Sequence, residues 1–162
     1  EQIHVARDLI TQSIGDLRDM CRNLRHDQLR LSALSTVIRE ELSRAGNAGN
    51  FQVRIDIPRQ LPEPLSDQRI LIYRIMQEAI TNILRHARAT EVQVHLQSFN
   101  GLWQMNIYDN GRGFEPTTTV SGKGFRMFQT RSTLLHASLT VTSQPGAGTH
   151  VCFSLPLNNI KS

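Results

Sequence analysis

Cysteine is scarce in this chain of 162 residues: only Cys21 and Cys152 occur, far apart and in unlike contexts. One falls in a helical stretch and the other in a strand-like one. Both read as buried thiols of a reducing compartment, against a disulfide or a thiolate metal site. Aromatic residues make up 6% of the chain and are scattered, too few for a base-stacking platform. The net charge is +4, yet Lys and Arg form no run, so a nucleic-acid partner is not expected. A small positive excess suits a nucleotide or an acidic partner instead. No signal peptide and no apolar run of membrane-spanning length is present. The chain is therefore expected to be soluble and cytoplasmic, whatever longer protein it is cut from. Proline is missing before Pro58, and a single glycine precedes Gly46, which leaves the front free to be helical.

What is present is an ordinary globular composition, 39% hydrophobic and 20% charged, enough for one domain with a short appendage. Ile3, Ile10, Leu17 and Leu24 recur every seven residues, with Ala6, Ile14, Met20 and Cys21 beside them. This predicts a first helix with a bundle or coiled-coil seam. A break is expected at residues 25–28, then a second helix over 29–43, then a loop over AGNAGN, residues 45–50. Residues 51–57 alternate apolar and polar, predicting a half-buried strand. Pro58, Pro62 and Pro64 mark an extended connector.

The stretch 66–88 organises the rest. Ser66 is a suitable N-cap, and Asp67 suits the positive end of a helix. Ile72, Met76, Ala79, Ile80, Ile83 and Ala87 fall on one stripe at helical spacing, predicting an amphipathic helix packed on a core. Glu78, Asn82 and Arg85 share a neighbouring face. Taken alone, such a face is ordinarily just solvated. As a carboxylate, a carboxamide and a guanidinium, it also suits a divalent cation with a phosphate beside it. Residues 91–97 and 102–108 alternate again around Asn100-Gly101, predicting a hairpin. It ends in Asp109-Asn110-Gly111-Arg112-Gly113-Phe114, a turn able to approach another group closely. Gly122, Lys123 and Gly124 precede a helical stretch over 125–135, a pattern that can cradle phosphate on free amides. Two further strands, 139–141 and 151–155, flank a tight turn at 145–149.

In this order the motifs resemble the catalytic ATP-binding domain of two-component sensor histidine kinases, within the Bergerat-type ATPase superfamily shared with gyrase. QEAITNILRHARAT is similar to the N box of the nitrate, hexose-phosphate and membrane-fluidity sensors, DNGRGF to the G1 box, SGKGF to the G2 box and PGAGTHVCFSLP to the closing strand. The resemblance spans residues 65–157. It implies an α+β fold, a two-layer α/β sandwich, over 45–162. Residues 1–44 would be the C-terminal part of a dimerisation and phosphoacceptor hairpin with its connecting helix, an N-terminal helical stalk segment.

The resemblance also implies roles. Asn82 would hold Mg²⁺ against the phosphates of ATP, and Glu78 would position a nucleophile beside it. Arg85 stands at a family lysine and would pair with phosphate, and His86 matches a family histidine near the phosphates. Asp109 would accept from the adenine amine, Gly111 and Gly113 would let the backbone close on the base, and Thr149 would complete the pocket. Gly122, Lys123 and Gly124 belong to the lid over the triphosphate. Implied partners are ATP, the phosphoacceptor helix of the same kinase and a response regulator. The whole protein would be a homodimer linked to the inner membrane.

The chain departs from the pattern at Met127, where a third glycine is usual, at Thr130, where an acid is usual, and at His136-Ala137, where Gly-Gly is usual. The first stalk helix with its His-Asp motif is missing, and neither His4 nor His26 lies in such a motif. The chain is therefore expected to bind nucleotide without phosphorylating itself. Two rivals are a degenerate ATP-binding module acting as a regulatory scaffold and an anti-sigma-type serine kinase.

Overall fold

The computed structural model describes residue 29, residues 32–115 and residues 123–157, the side chains of 123–127 excepted. The heptad-patterned first helix with Cys21, His4 and His26 lies outside the described residues, as do Gly122 and the segment before it.

Helix α1 spans Leu34–Gly49. It starts later than the expected second helix and runs through the stretch expected to be a loop. The reason lies in its buried stripe, Leu34, Val37, Ile38, Leu42, Ala45 and Gly46, which keeps helical spacing into the glycine-rich segment. Packing of these small residues outweighs the turn-forming composition. The helix closes only at Asn50, which takes a left-handed conformation (φ 51°) and donates its N–H to the Gly46 carbonyl.

Strand β1 (Gln52–Asp56) leads through the proline connector to helix α2, Ser66–Asn82. Leu65, not Ser66, occupies the N-cap, because Gln68 Oε1 reaches back to accept the Leu65 N–H at 2.9 Å. The expected apolar stripe is buried along its whole length, from Ile72 at 0% exposure to Ala87 at 8%. Past Asn82 the helix widens into a π-helical turn, Ile83–Ala87, and stops at Arg88 in a left-handed conformation.

Strands β2 (Glu91–Phe99) and β3 (Leu102–Asp109) form the expected hairpin, with both Asn100 (φ 50°) and Gly101 (φ 75°) at positive φ. Helix α3 covers Lys123–Leu134, followed by β4 (Ser138–Ser143) and β5 (Thr149–Pro156). The sheet order is β1-β2-β3-β5-β4. Only β1 and β2 are parallel, joined by α2 as crossover; the other neighbours are antiparallel.

One sheet face, centred on Val94, Trp103, Met105 and Phe153, packs on the helices. The opposite face is more polar and carries Tyr108 stacked on His150 at 4.0 Å. Cys152 lies on that outer face and is half-buried, its Sγ 3.8 Å from Ser154 Oγ, which corrects the expectation of a fully buried thiol. The mixed two-layer architecture agrees with the expected α+β sandwich. Register places the C-terminal end of β3 beside the start of β5, with Asp109 opposite Thr149. That juxtaposition builds the site.

Candidate functional site

Asp109 is the last residue of β3, at 8% exposure. A carboxylate so placed is costly unless donors surround it. Its Oδ1 accepts the Gly111 N–H at 2.8 Å, and Thr149, opposite it in the β3–β5 ladder, also favours the charged form. Burial nevertheless dominates and pushes its pKa above the ordinary carboxylate value, with Gly111 and Thr149 pulling the other way.

The loop after Asp109 is fastened on both sides. Asn110 Oδ1 accepts from the N–H groups of Thr90 (2.9 Å) and Glu91 (3.0 Å), while its Nδ2 donates to Thr90 Oγ1 (2.8 Å). The Arg112 N–H donates to the Ala87 carbonyl at 2.8 Å, tying the loop to the end of the π-helical turn. Gly111 is packed so closely that a Cβ would lie 2.4 Å from the Ala87 carbonyl oxygen. On the other side the Gly146 N–H donates to the Arg112 carbonyl at 2.7 Å. Ser143 Oγ accepts the Phe114 N–H (2.9 Å) and donates to the Gly148 carbonyl (2.8 Å). Gly148 has φ 76°, and a Cβ there would come within 1.9 Å of the Asp109 carbonyl oxygen. Asp109, Gly111, Gly113 and Thr149 thus belong to one stitched unit.

Glu78 and Asn82 stand one turn apart on α2, both half-buried. Arg85 and His86 lie on the π-helical turn and are exposed. The wider turn carries Arg85 off the α-helical register on which it shares a face with Glu78 and Asn82. Lys123 and Gly124 form the first turn of α3. Gly122 lies outside the described residues.

A groove of about 720 Å³ runs between α1, α2 and α3. It is bordered by Glu41 and Arg44 of α1, Arg74 and Glu78 of α2 and Arg131 of α3, and it includes neither Asn82 nor Asp109. Sequence reasoning missed the groove, because its walls come from three helices distant in the chain. It also passed over Asn110 and Ser143, which hold the loop. Asn110 left a signal, since Asn before Gly in a turn commonly bonds nearby backbone. Ser143 left none.

Comparisons with known proteins bear on the family and the fold. Sensor protein VraS of Staphylococcus saprophyticus is 29% identical over 160 residues, covering 98% of this chain and 45% of its own length. The signal transduction histidine-protein kinase/phosphatase DegS of Brevibacillus brevis is 26% identical over 162 residues, 97% of this chain and 41% of its own length. The chain thus spans less than half the length of these curated relatives. Among solved structures, the histidine kinase domain of a blue-light activated kinase from Erythrobacter litoralis superposes with a TM-score of 0.66 at 23% identity, over 79% of this chain and 63% of that one. Full-length ShkA, solved in complex with AMPPNP, superposes with a TM-score of 0.64 at 17% identity, over 90% of this chain and 38% of its own. These two share the fold. No helix among the described residues is long and apolar enough to cross a membrane. The family model described as histidine kinase-, DNA gyrase B-, and HSP90-like ATPase matches residues 67–159, and the chain belongs to that family.

Proposed function

We propose that this chain is the ATP-binding catalytic domain of a sensor histidine kinase, binding Mg-ATP and delivering the γ-phosphoryl group to a histidine on a stalk helix. The observation that carries the reading is Asp109: a buried carboxylate held by Gly111 and Thr149 at the end of β3. A carboxylate has about four acceptor positions, and the Gly111 N–H takes one of them, leaving room for an amine from a purine. Adenine presents such an amine at N6, whereas guanine offers a carbonyl there, which has no proton for Asp109 to accept.

The donors on α2 fit the metal. Asn82 and Glu78 supply oxygen, and magnesium prefers oxygen ligands shared with water and substrate phosphates. Bound there, the ion neutralises phosphate charge. Asn82 would hold it, and Arg85, His86 and Lys123 would pair with phosphate as the segment containing Gly122 and Gly124 covers the triphosphate. Glu78 would accept the ring N–H of the incoming imidazole. As the nitrogen–phosphorus bond forms, the bond to the bridging oxygen of ADP breaks and the ring proton passes to Glu78 or water. Such transfer asks the protein mainly for positioning and charge.

Residues 1–44 would supply the end of a dimerisation hairpin and its connecting helix, with the acceptor histidine on a helix outside this sequence. A response regulator would then take the phosphoryl group on an aspartate. The kinase as a whole would work as a homodimer at the inner membrane with this domain in the cytoplasm. Similarity to DegS, whose name is that of a histidine-protein kinase/phosphatase, favours histidine over serine as acceptor. A scaffold reading draws on Met127 and Thr130, which stand where the resemblance implies a glycine and an acid.

Calorimetric titration of the chain with ATP, with and without magnesium, decides between catalyst and scaffold. Saturable binding that tightens with magnesium supports the catalytic reading. Silence at high micromolar nucleotide favours the scaffold.

A further inference from the structure

Arg131 lies on α3, the helix whose first turn holds Lys123 and Gly124. Its Nη1 donates to the main-chain carbonyl of Arg74 on α2, at 3.0 Å across 57 positions of sequence. Helix carbonyls point toward the C-terminal end, so a group bonded at Arg74 sits on the side of the following turn, where Glu78 stands. Arg74, Glu78 and Arg131 all line the same groove. Arg74 turns its own guanidinium to Gln77 Oε1 at 2.9 Å, and Gln77 Nε2 donates to the Tyr73 hydroxyl at 2.9 Å. The other charged groups of the groove, Glu41 and Arg44, pair with each other on α1 at 2.8 Å. Burial pulls the Arg131 pKa down, while the Glu78 carboxylate raises it and Arg74 lowers it further. Glu78 and Arg131 thus line one groove, with Arg131 bonded on the turn of α2 that leads to Glu78.

Resting on the nucleotide-site reading above, we propose that Arg131 is a positioning residue: anchored on the Arg74 carbonyl, it holds the Glu78 carboxylate in place for the phosphoryl acceptor. A guanidinium suits this task because its planar fork keeps one arm on a carbonyl while another faces a carboxylate. A lysine keeps the charge and loses the fork. A glutamine keeps a donor for the carbonyl and loses the charge. Arg131 also links the helix that follows the glycine-bearing segment to the helix that carries Asn82.

The test supplies the wild-type chain, Arg131→Gln and Arg131→Lys with a separate histidine-bearing two-helix chain and γ-labelled ATP. Arg131→Gln is expected to slow label transfer at saturating ATP by about tenfold or more, with the Kd for Mg-ATP within about threefold of wild type. Arg131→Lys recovers part of the lost rate. In a Glu78→Gln background, adding Arg131→Gln costs little further, because the two act as a unit. Wild-type transfer by Arg131→Gln overturns the inference. So does a parallel loss of transfer, nucleotide affinity and melting temperature, which marks a purely structural role. Failure of the wild-type chain to bind Mg-ATP overturns the nucleotide reading itself, and is measured before any variant is made.

Discussion

Asp109 meets two opposing demands, one from folding and one from the proposed ligand. Burial raises its pKa above that of an unfolded aspartate, so between the two values the folded state binds more protons than the unfolded one. Stability from this group is then full below the unfolded pKa and is lost as pH rises through the raised folded value. At neutral pH the ionised carboxylate is a net cost to folding. Asp109→Asn keeps an oxygen for the Gly111 N–H and removes that cost. The variant is expected to melt at or above the wild-type temperature at pH 7, with the gain fading toward pH 3, as thermal scans across pH will show. Its affinity for ATP should fall by about tenfold or more, because the amide replaces an acceptor with a donor. A variant both less stable and equally tight for ATP would show Asp109 to be structural.

His136 belongs with the elements. The Ala137 N–H donates to the Ser132 carbonyl at 2.9 Å and the His136 N–H to the Thr133 carbonyl at 3.0 Å. This double closure is a Schellman motif, and its C′ residue, His136, sits at φ 51°. Glycine would take this conformation without a Cβ, whereas histidine occupies it under strain. His136→Gly should stabilise the chain by about 1 kcal/mol, measured by urea unfolding. Gly148→Ala should act in the opposite sense. Both its φ of 76° and the approach of the Asp109 carbonyl oxygen forbid a Cβ, and a loss of about 3 kcal/mol is expected in the same assay.

Legibility from sequence varied with the range of the interactions involved. The α2 stripe and the Asn100-Gly101 hairpin were readable, because periodicity and turn chemistry are local. The end of α1 was not, since burial of Ala45 and Gly46 comes from tertiary packing. The π-helical turn that displaces Arg85 left no local signal either. Asp109 was legible as a turn residue and as a family position. Its burial and its place opposite Thr149 depend on the β3–β5 register, which no short window contains.

At the scale of the molecule, the fold brings the end of the α2 helical run together with the loop after β3. The Ala87 carbonyl, five residues beyond Asn82, accepts from Arg112, three residues beyond Asp109. The helix with the proposed metal ligand and the loop with the proposed adenine acceptor are therefore fixed to each other by main-chain bonds. Asn82→Ala should consequently leave melting unchanged within a few degrees and abolish the magnesium dependence of nucleotide binding. Calorimetry with and without the ion checks it; unchanged magnesium dependence would free Asn82 from the role.

The central claim is that Asp109 and Asn82 serve one nucleotide. Competitive calorimetric titration of the wild-type chain with ATP and GTP in the presence of magnesium tests it most directly. The account predicts saturable binding of ATP and binding of GTP weaker by about tenfold or more. Equal affinity for the two nucleotides, or no heat from either, would contradict it.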